Sequence, residues 1–430
     1  MDRLVQHALT PAAGGPASLP PKAHLPGRAR SEATPVEIRV DGLYKVFGPD
    51  PAEAVQRLRL GAVTAEELRE EGKTAAVVDA NFHVRPGETF VVMGLSGSGK
   101  STLIRMVNGL LGPTAGHVYV DGQDISTMSA KNVRLVRQNS MSMVFQHFAL
   151  LPHRTVLDNA AYGLQVRDRP KGERLKKARE SLALVGLDGW EDQFPQQLSG
   201  GMRQRVGLAR ALATGTDVML MDEAFSALDP LIRREMQDQL LQLQASLSKT
   251  ILFITHDLNE AMRIGDRIAM MRDGRIVQIG TAEDILSRPA TDYVAQFMRD
   301  VDRVRVLTAS LVANRDELVL HADSDPAAAL RTMRAHGLAG LVVLDAQRRV
   351  AGFVTEADAE RALAAGRAQV GTPSAAVLPT ARHDTPLAEL CTPLSQTNCG
   401  LAVLDPDERL VGVVTRGALL NALGETSAAG

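Results

Sequence analysis

A glycine-rich segment directly after a short apolar run constrains the fold of this chain more than any other stretch. Residues 94–102 read Gly-Leu-Ser-Gly-Ser-Gly-Lys-Ser-Thr, and residues 89–93 before them read Thr-Phe-Val-Val-Met. The apolar run predicts a buried strand, and residues 102–107 have the pattern of a helix. The glycines allow backbone angles that a Cβ would forbid, so that successive N–H groups can face a polyphosphate. We therefore predict a strand, a phosphate-binding loop and a helix, in that order.

Two side chains of this loop add chemistry to its shape. Lys100 brings a positive charge toward the β- and γ-phosphates, and the Ser101 hydroxyl is placed to ligate Mg²⁺. The alternative is an ordinary glycine-rich turn. The loop residues that we expect to contact a nucleotide are Gly94, Ser96, Gly97, Ser98, Gly99, Lys100, Ser101 and Thr102.

The composition predicts a globular protein of several domains and argues against nucleic acid as a partner. The chain has 430 residues, of which 45% are hydrophobic, enough for two to four domains with their own cores. Lys and Arg number 48 and Asp and Glu number 50, which gives a net charge of −2. Without an excess of positive charge there is no general attraction for DNA or RNA.

Targeting and redox signals point to a cytoplasmic setting. The longest apolar runs, such as residues 218–221 and 341–344, are far shorter than the roughly 18 residues that span a bilayer. We expect no secretion signal, because no charged start is followed by an apolar segment. Cys391 and Cys399 form no metal-type pair, and they could form a disulfide only if the fold brought them together.

Strands alternate with helical patterns over most of the chain, which predicts an α/β fold with a mostly parallel sheet. Residues 1–34 are rich in Ala, Pro and Gly and are predicted to be a disordered tail. Residues 35–300 are expected to form the nucleotide-binding domain, with a helical insertion at about 49–75 and a helical subdomain at about 147–215. Within the insertion, residues 64–67 (Thr-Ala-Glu-Glu) resemble a capping box. Besides the strand at 89–93, strands are predicted at 37–40 and 43–48, at 75–78 and 82–84, and at 116–120, 143–146, 217–222 and 250–255.

A repeat begins beyond residue 300. Residues 341–355 match residues 401–415 without a gap, at a constant offset of 60. Such self-similarity predicts two copies of one strand–turn–strand–helix unit, which pack together because one copy would bury its apolar face poorly. We expect an α+β module over 303–424 and a short tail over 425–430.

Two adjacent carboxylates indicate the class of reaction. Asp222 ends an apolar strand and suits a second contact to Mg²⁺, while Glu223 points elsewhere and can polarise an attacking water. The alternative is that two carboxylates merely end a strand.

A second glycine motif identifies the subtype. Ser199, Gly200 and Gly201 precede a helix and would make an anion-binding N-terminus. With this Leu-Ser-Gly-Gly sequence the chain resembles the ATP-binding subunit of ABC transporters, a P-loop NTPase. The resemblance implies a dimer with two ATP molecules at its interface, each held by the phosphate loop of one subunit and the Leu-Ser-Gly-Gly motif of the other. Met202 departs from the family, where many members have Gln.

The resemblance carries further roles to individual residues. It implies that Gln146 is the Q-loop amide, which senses the γ-phosphate and contacts the metal, that Asp229 lies in the D-loop and that His256 is the switch histidine. A structural histidine is the alternative for His256. Phe47 is the expected adenine-stacking aromatic, with Tyr44 as the alternative because the insertion obscures the alignment. The implied catalytic residues are Glu223, His256, Gln146 and Lys100, and the implied metal-binding residues are Ser101, Gln146 and Asp222.

A closer resemblance covers nearly the whole chain after the tail. The chain is similar to the ATPase subunit of glycine betaine/proline importers in the phosphate loop, residues 143–153, residues 198–211, the insertion and the repeat. This implies osmoprotectant uptake at the cytoplasmic face of the bacterial inner membrane, with a permease and, indirectly, a substrate-binding protein as partners. The alternatives are a soluble ABC ATPase of DNA repair or translation, an importer for another solute, and a module in which nucleotide occupancy only signals.

The repeated module resembles tandem cystathionine-β-synthase (CBS) domains. This implies a regulatory adenine nucleotide, with Thr355 near the phosphate and Asp358 at the ribose. The second copy has Thr415 but Ala418, so we expect only the first copy to bind. Helix capping is the alternative role for Thr355 and Asp358. Calorimetry that detects no binding of adenine mono-, tri- or cyclic dinucleotides would exclude the site. Ionic-strength sensing is the other regulatory hypothesis.

Overall fold

The computed structural model describes residues 36–300, 307–314, 318–321, 323–345, 347–370, 379–397 and 400–424. The predicted tails, 1–34 and 425–430, lie outside these residues, as does Cys399. Cys391 is exposed and forms no disulfide with any described residue. The domain boundaries given above stay predictions.

The first part of the described chain alternates strands with helices. The strands are β1 (Ile38–Phe47), β2 (Thr74–Val84), β3 (Thr89–Met93), β4 (Ala115–Val120), β5 (Gln123–Asp124), β6 (Met141–Phe145), β7 (Val218–Asp222), β8 (Thr250–Thr255), β9 (Arg267–Arg272) and β10 (Arg275–Gly280). The helices are α1 (Pro51–Arg59), α2 (Ala65–Glu70), α3 (Lys100–Val107), α4 (Ala130–Ser140), α5 (Val156–Val166), α6 (Lys171–Leu184), α7 (Gly200–Ala213), α8 (Pro230–Leu247), α9 (Leu258–Ile264), α10 (Ala282–Ser287) and α11 (Asp292–Phe297).

A six-stranded sheet with the order β10-β9-β3-β8-β7-β6 is the centre of this part, and all its neighbouring pairs except β10 with β9 are parallel. Its strands are buried on both faces. Along β3, Phe90 and Val92 pack into one hydrophobic core, and Val91 and Met93 into the core on the opposite face. Continuous apolar runs are typical of parallel strands covered on both sides, so the predicted mostly parallel sheet is confirmed.

A second, antiparallel sheet has the order β2-β1-β4-β5. The two apolar stretches expected at 37–40 and 43–48 form one strand, β1, whose pairing with β2 shifts register at several points. Each shift changes which side chains face the core, because successive residues of a strand point to opposite faces. Strict alternation is therefore a poor guide to orientation along β1.

The chain between β1 and β2 contains the expected helical insertion, as α1 and α2. Thr64 and Glu67 form the predicted capping box: the Thr64 N–H donates to Glu67 Oε2 (2.6 Å), and the Glu67 N–H donates to Thr64 Oγ1 (3.2 Å). Leu68 is fully buried in a small core with Tyr44 and Val78. The insertion is thus fixed to the antiparallel sheet by its own apolar face.

Helices α5, α6 and α7 pack against one another within the predicted helical segment. Their shared core includes Ala160 and Leu182, with Val206 completely buried. No helix in the described ranges is long and apolar enough to cross a bilayer.

The C-terminal part contains the repeated unit. Its elements are α12 (Ala309–Val312), β11 (Val319–His321), α13 (Pro326–His336), β12 (Gly340–Leu344), β13 (Val350–Thr355), α14 (Glu356–Ala364), β14 (Thr380–Arg382), α15 (Leu387–Ser395), β15 (Leu401–Leu404), β16 (Leu410–Val414) and α16 (Arg416–Gly424). Each copy forms a three-stranded sheet, β11-β12-β13 and β14-β15-β16, with one parallel and one antiparallel pair.

The repeat extends to the details of the turns. Asp345 Oδ1 accepts hydrogen bonds from the backbone N–H groups of residues 347 and 349, and Asp405 Oδ1 does the same with residues 407 and 409. The two copies also share one core, in which Val343 of the first packs with Val413 of the second. The prediction of two copies packed as a single module is confirmed.

We predict that Gly116 in β4 tolerates no side chain. Its φ is +87°, and a Cβ would lie 2.0 Å from the Gly42 carbonyl oxygen in β1. Gly116→Ala should cost about 1 kcal/mol for the left-handed backbone and roughly 1–3 kcal/mol more for the clash.

Gly122→Ala is the matched control, because Gly122 has φ +70° but open space around the Cβ position. Thermal unfolding of both full-length variants measures the difference. Equal melting temperatures would contradict the predicted clash.

Candidate functional site

The glycine-rich segment joins β3 to α3, as predicted, and contacts two neighbouring elements closely. Gly99 has φ +101°, and a Cβ there would lie 2.1 Å from the Ala76 carbonyl oxygen in β2. The Gly274 N–H, in the turn between β9 and β10, donates to the Ser98 carbonyl (3.1 Å). The loop conformation is therefore held by backbone contacts that leave no room for a side chain at Gly99.

Ser98 and Lys100 are both buried in this loop, in contrasting ways. Lys100 Nζ donates to the carbonyl oxygens of Gly94 (2.8 Å) and Leu95 (3.0 Å), while the buried Ser98 hydroxyl has no hydrogen-bond partner among the described residues. Burial lowers the pKa of Lys100, and the carboxylates of Glu223 and Asp222 oppose that shift.

The end of β7 places Asp222 beside the first turn of α3. The Ser101 hydroxyl donates to Asp222 Oδ1 (3.2 Å). Burial raises the pKa of Asp222, and the hydrogen bond from Ser101 opposes the rise. A hydroxyl and a carboxylate oxygen are thus adjacent, which is the oxygen donor chemistry that Mg²⁺ prefers.

Glu223 is the meeting point of three chain segments. Gln146 Nε2 donates to Glu223 Oε2 (3.2 Å), and His256 Nδ1 lies 3.2 Å from the same oxygen. Glu223 itself has φ +46°, a left-handed conformation that is strained for a residue with a side chain. The structure therefore brings Gln146, Glu223 and His256 together, and the strained backbone lies at Glu223.

Ser226 belongs to the same cluster and was not predicted. Its hydroxyl donates to the Glu223 carbonyl (2.9 Å) and accepts from Gln146 Nε2 (3.1 Å). The residue lies one turn after Glu223 in a loop, where serine is too common to be singled out from sequence.

A cavity of about 620 Å³ opens over the loop. One side is formed by the phosphate loop and Glu223, another by the Asp273–Gly274 turn, and a third by the start of β2 and helix α2. The residues that line it are Thr64, Ala65, Glu66, Arg69, Thr74, Ala75, Ala76, Ser96, Gly97, Gly99, Lys100, Ser101, Thr102, Glu223, Asp273 and Gly274. The contribution of α2 was not predicted, although its capping box was visible in the sequence.

Phe47 and Tyr44 differ sharply in exposure. The Phe47 ring is 42% exposed, with Lys45 Nζ 5.2 Å from its centre. Tyr44 is buried beneath the insertion, and Arg59 lies over its ring at 4.9 Å. Phe47 pairs in the β1–β2 ladder with Thr74, which lines the cavity. Of the two aromatics, Phe47 is the one whose ring is free to stack on a ligand.

The second glycine motif starts α7. The Ser199 hydroxyl accepts from the Met202 N–H (3.3 Å) and caps the helix. A Cβ on Gly201 would lie 2.5 Å from Ile232 in α8, and Asp229 caps α8 by accepting from the Ile232 N–H (3.1 Å). The structure thus brings the Ser199–Gly201 motif close to the segment that carries Asp229. Neither lines the cavity above the phosphate loop.

Helix α7 also holds the segment after Gln146, a link that the sequence did not reveal. Arg210 donates to the carbonyl oxygens of Phe148 (2.9 Å) and Ala149 (2.5 Å). Phe148 and Ala149 both have positive φ, at +58° and +48°. Their strained backbone is stabilised by this arginine, and the helix that begins with the Leu-Ser-Gly-Gly motif therefore fixes the loop that carries Gln146.

In the C-terminal module Thr355 and Asp358 form a capping box at the start of α14. The Thr355 hydroxyl donates to Asp358 Oδ2 (2.6 Å), and this bond lowers the pKa of Asp358. A cavity of about 400 Å³ in the module is lined by residues of both copies, among them His336 and Leu338 of the first and Thr415 and Arg416 of the second, and its lining includes neither Thr355 nor Asp358. The capping role is therefore observed, and the nucleotide role of Thr355 and Asp358 stays a prediction.

Comparisons with known proteins agree with this geometry. The family model for "ABC transporter" matches residues 77–226, and the model for "CBS domain" matches residues 309–365 and 375–425. The glycine betaine transport ATP-binding protein OpuAA of Bacillus subtilis (strain 168) is 50% identical over 389 residues, covering 90% of this chain and 93% of that protein.

Two further proteins extend the comparison. The glycine betaine/proline betaine transport system ATP-binding protein ProV of Escherichia coli (strain K12) is 44% identical over 393 residues, covering 90% of this chain and 98% of that protein. The solved structure of CbiO1 from Clostridium perfringens, part of the ABC transporter complex CbiONQ, shares the fold, with a TM-score of 0.50 and 24% identity. It covers 62% of this chain and 96% of that one. From the identity and coverage of the two relatives, the chain belongs to the family of ABC transporter ATP-binding proteins and carries a tandem CBS module.

Proposed function

We propose that this chain is the ATP-hydrolysing subunit that powers import of an osmoprotectant, namely glycine betaine, proline betaine or a related quaternary amine, through separate membrane subunits. The observation that carries the proposal is the match to OpuAA and ProV over more than nine-tenths of each. The identity extends across both the nucleotide part and the CBS module, so it reaches beyond the generic ATPase.

The nucleotide site fits a Mg²⁺-bound ATP on its own chemistry. The loop carries a buried Ser98 hydroxyl that has no hydrogen-bond partner in the described part of the chain, and its backbone at Gly94 and Gly99 excludes a Cβ, as a cradle for phosphate requires. Ser101 and Asp222, with the amide of Gln146 nearby in the same cluster, would hold the metal. When bound, Mg²⁺ neutralises charge that develops on the phosphates during transfer. Phe47 would stack on the adenine.

Hydrolysis then depends on Glu223. Its carboxylate would orient and polarise the attacking water, while Gln146 and His256 hold that carboxylate from two sides. Lys100 would bind the phosphates with its positive charge, exchanging the carbonyl oxygens of Gly94 and Leu95 for phosphate oxygens. The left-handed backbone at Glu223 fixes the direction of the carboxylate before substrate arrives.

In this scheme the Ser199–Gly201 motif does not contact the nucleotide that is held by the phosphate loop of its own chain. It caps α7 with its N–H groups available to an anion, yet it does not line the cavity over the phosphate loop. A second copy of the chain would supply the nucleotide that this motif contacts, so that each of two ATP molecules lies between the loop of one subunit and Ser199 of the other. Asp229, close to this motif, would lie at the same interface.

The remaining partners follow from the proposed transport role. A permease would bind the helical subdomain near the Gln146 loop, and a substrate-binding protein would act indirectly through that permease. The chain would then work at the cytoplasmic face of a bacterial inner membrane. The CBS module would regulate activity, by an adenine nucleotide at Thr355 and Asp358 or by ionic strength. A soluble ATPase of DNA repair or translation is less consistent with the relatives' names.

Uptake of labelled solutes tests the proposal. Cells that carry this chain with its permease and binding protein should accumulate labelled betaine after an osmotic upshift, and cells that lack the chain should not. Proline and choline are measured alongside to define the substrate. Equal betaine uptake with and without the chain would contradict the proposed function.

Catalysis is tested by Glu223→Gln. The amide cannot polarise water as a carboxylate does, so we expect ATP turnover to fall by at least about 100-fold while ATP still binds. Glu283→Gln in α10 is the matched control, since Glu283 is exposed and does not line the cavity. Turnover close to that of the wild type in Glu223→Gln would refute the catalytic assignment.

A further inference from the structure

Helix α2 of the insertion has one face in the core and another over the nucleotide cavity. Leu68 is fully buried against the antiparallel sheet, while Ala65, Glu66 and Arg69 line the cavity. Residues 65, 66 and 69 are spaced by three and four, so they lie on one face of a helix. The Thr64–Glu67 capping box fixes where this helix begins. The insertion therefore presents a defined surface to the site.

Arg69 stands out among the charged residues on this surface. The side chains of Arg57 and Arg59 in α1 are occupied by Glu71 and by the Tyr44 ring. Of the two cations that line the cavity, Lys100 is bound to loop carbonyl oxygens. The Arg69 guanidinium has no hydrogen bond or ion pair with any described residue. It is a cation without a partner among the described residues, in the cavity that the phosphate loop lines.

The position of Arg69 within the cavity indicates which part of a nucleotide it meets. Thr74, Ala75 and Ala76 lie in the lining between α2 and the phosphate loop, and Thr74 is the ladder partner of Phe47. Helix α2 thus lies on the side of the exposed aromatic ring. The phosphate loop, with Lys100 and Ser101, lies at the other end of this stretch, since the Cβ position of Gly99 contacts the Ala76 carbonyl oxygen. A nucleotide whose terminal phosphates occupy the loop would have its ribose toward α2.

We propose that Arg69 binds the phosphate chain of the nucleotide at its ribose end, which makes the insertion a working part of the nucleotide site. The inference rests on the proposed ATP binding and adds a residue to it. A guanidinium forms paired, charge-assisted hydrogen bonds to phosphate oxygens, and a free one breaks no protein bond to do so. Glu66, on the same face, repels phosphate and orients the chain away from itself.

The experiment compares Arg69→Ala and Arg69→Lys in the full-length chain by calorimetry. The probes are ADP, an ATP analogue with a non-hydrolysable β,γ-imido bridge, and inorganic tripolyphosphate. We expect Arg69→Ala to weaken both nucleotides and tripolyphosphate about tenfold, because the third phosphate of tripolyphosphate takes the place of the α-phosphate. Arg69→Lys keeps the charge but loses the paired geometry, so its loss should be smaller.

Arg179→Ala is the matched control. Arg179 is an exposed arginine of α6 outside the cavity, and it too has no bond to a described residue. It should bind all three probes as the wild type does. Arg69 is exposed as well, so its replacement should leave the melting temperature of the chain unchanged.

Two results would overturn the inference alone. The first is nucleotide affinity in Arg69→Ala equal to that of the wild type. The second is a loss for the nucleotides with the affinity for tripolyphosphate unchanged, which would indicate a contact to the ribose or the base in place of the phosphate chain. A wild-type chain that binds none of the probes would instead overturn the proposed function itself.

Discussion

The parallel register of the central sheet is the constraint on which the site depends. Strand β3 pairs with β8 so that Met93 lies opposite Thr255, and β7 pairs with both neighbours through Asp222. The residue that follows each of these strands lies in the phosphate loop or in one of the three segments that form the cluster around Glu223. In strand order across the sheet, these residues are Gly94, His256, Glu223 and Gln146. Four distant segments meet at one edge because their strands end at the same level.

This edge also explains where strain is stored. Glu223 turns out of β7 with a left-handed backbone, and the Glu223 N–H is held by the Ile254 carbonyl of β8. The segment after β6 has two further left-handed residues, held by Arg210 of α7. A change at the start of α7 can therefore reach Gln146 through one helix and one arginine. This linkage is a physical route between the Leu-Ser-Gly-Gly motif and the cluster of Gln146, Glu223 and His256.

Much of the fold and of the candidate site could be predicted from the sequence because the sequence signals are local. The phosphate loop, the carboxylates after β7 and the capping box at Thr64 each depend on a few consecutive residues. The repeat was equally visible in the sequence, and the structure extends it to the backbone: Arg348 and Glu408 have φ of +63° and +61° at equivalent places in the two turns.

What the sequence could not predict depends on contacts between distant segments. The orientation of Phe47 against Tyr44 is set by register shifts along β1, which alternation cannot anticipate. The place of α2 beside the cavity follows from the β1–β2 ladder. The hydrogen bonds from Arg210 to the loop after Gln146 follow from how α7 packs. None of these contacts gives a signal in the residues of a single segment.

In the proposed mechanism a second copy of the chain completes the nucleotide site. Light scattering of Glu223→Gln in saturating ATP tests this dimer most directly, since blocked hydrolysis should trap the dimer in its closed state. We predict a mass near twice the 46.2 kDa of one chain. When Ser199→Arg is added, we predict the mass of a single chain, with ATP still bound. A Glu223→Gln chain that stays single in ATP, or a double variant that dimerises equally well, would contradict it.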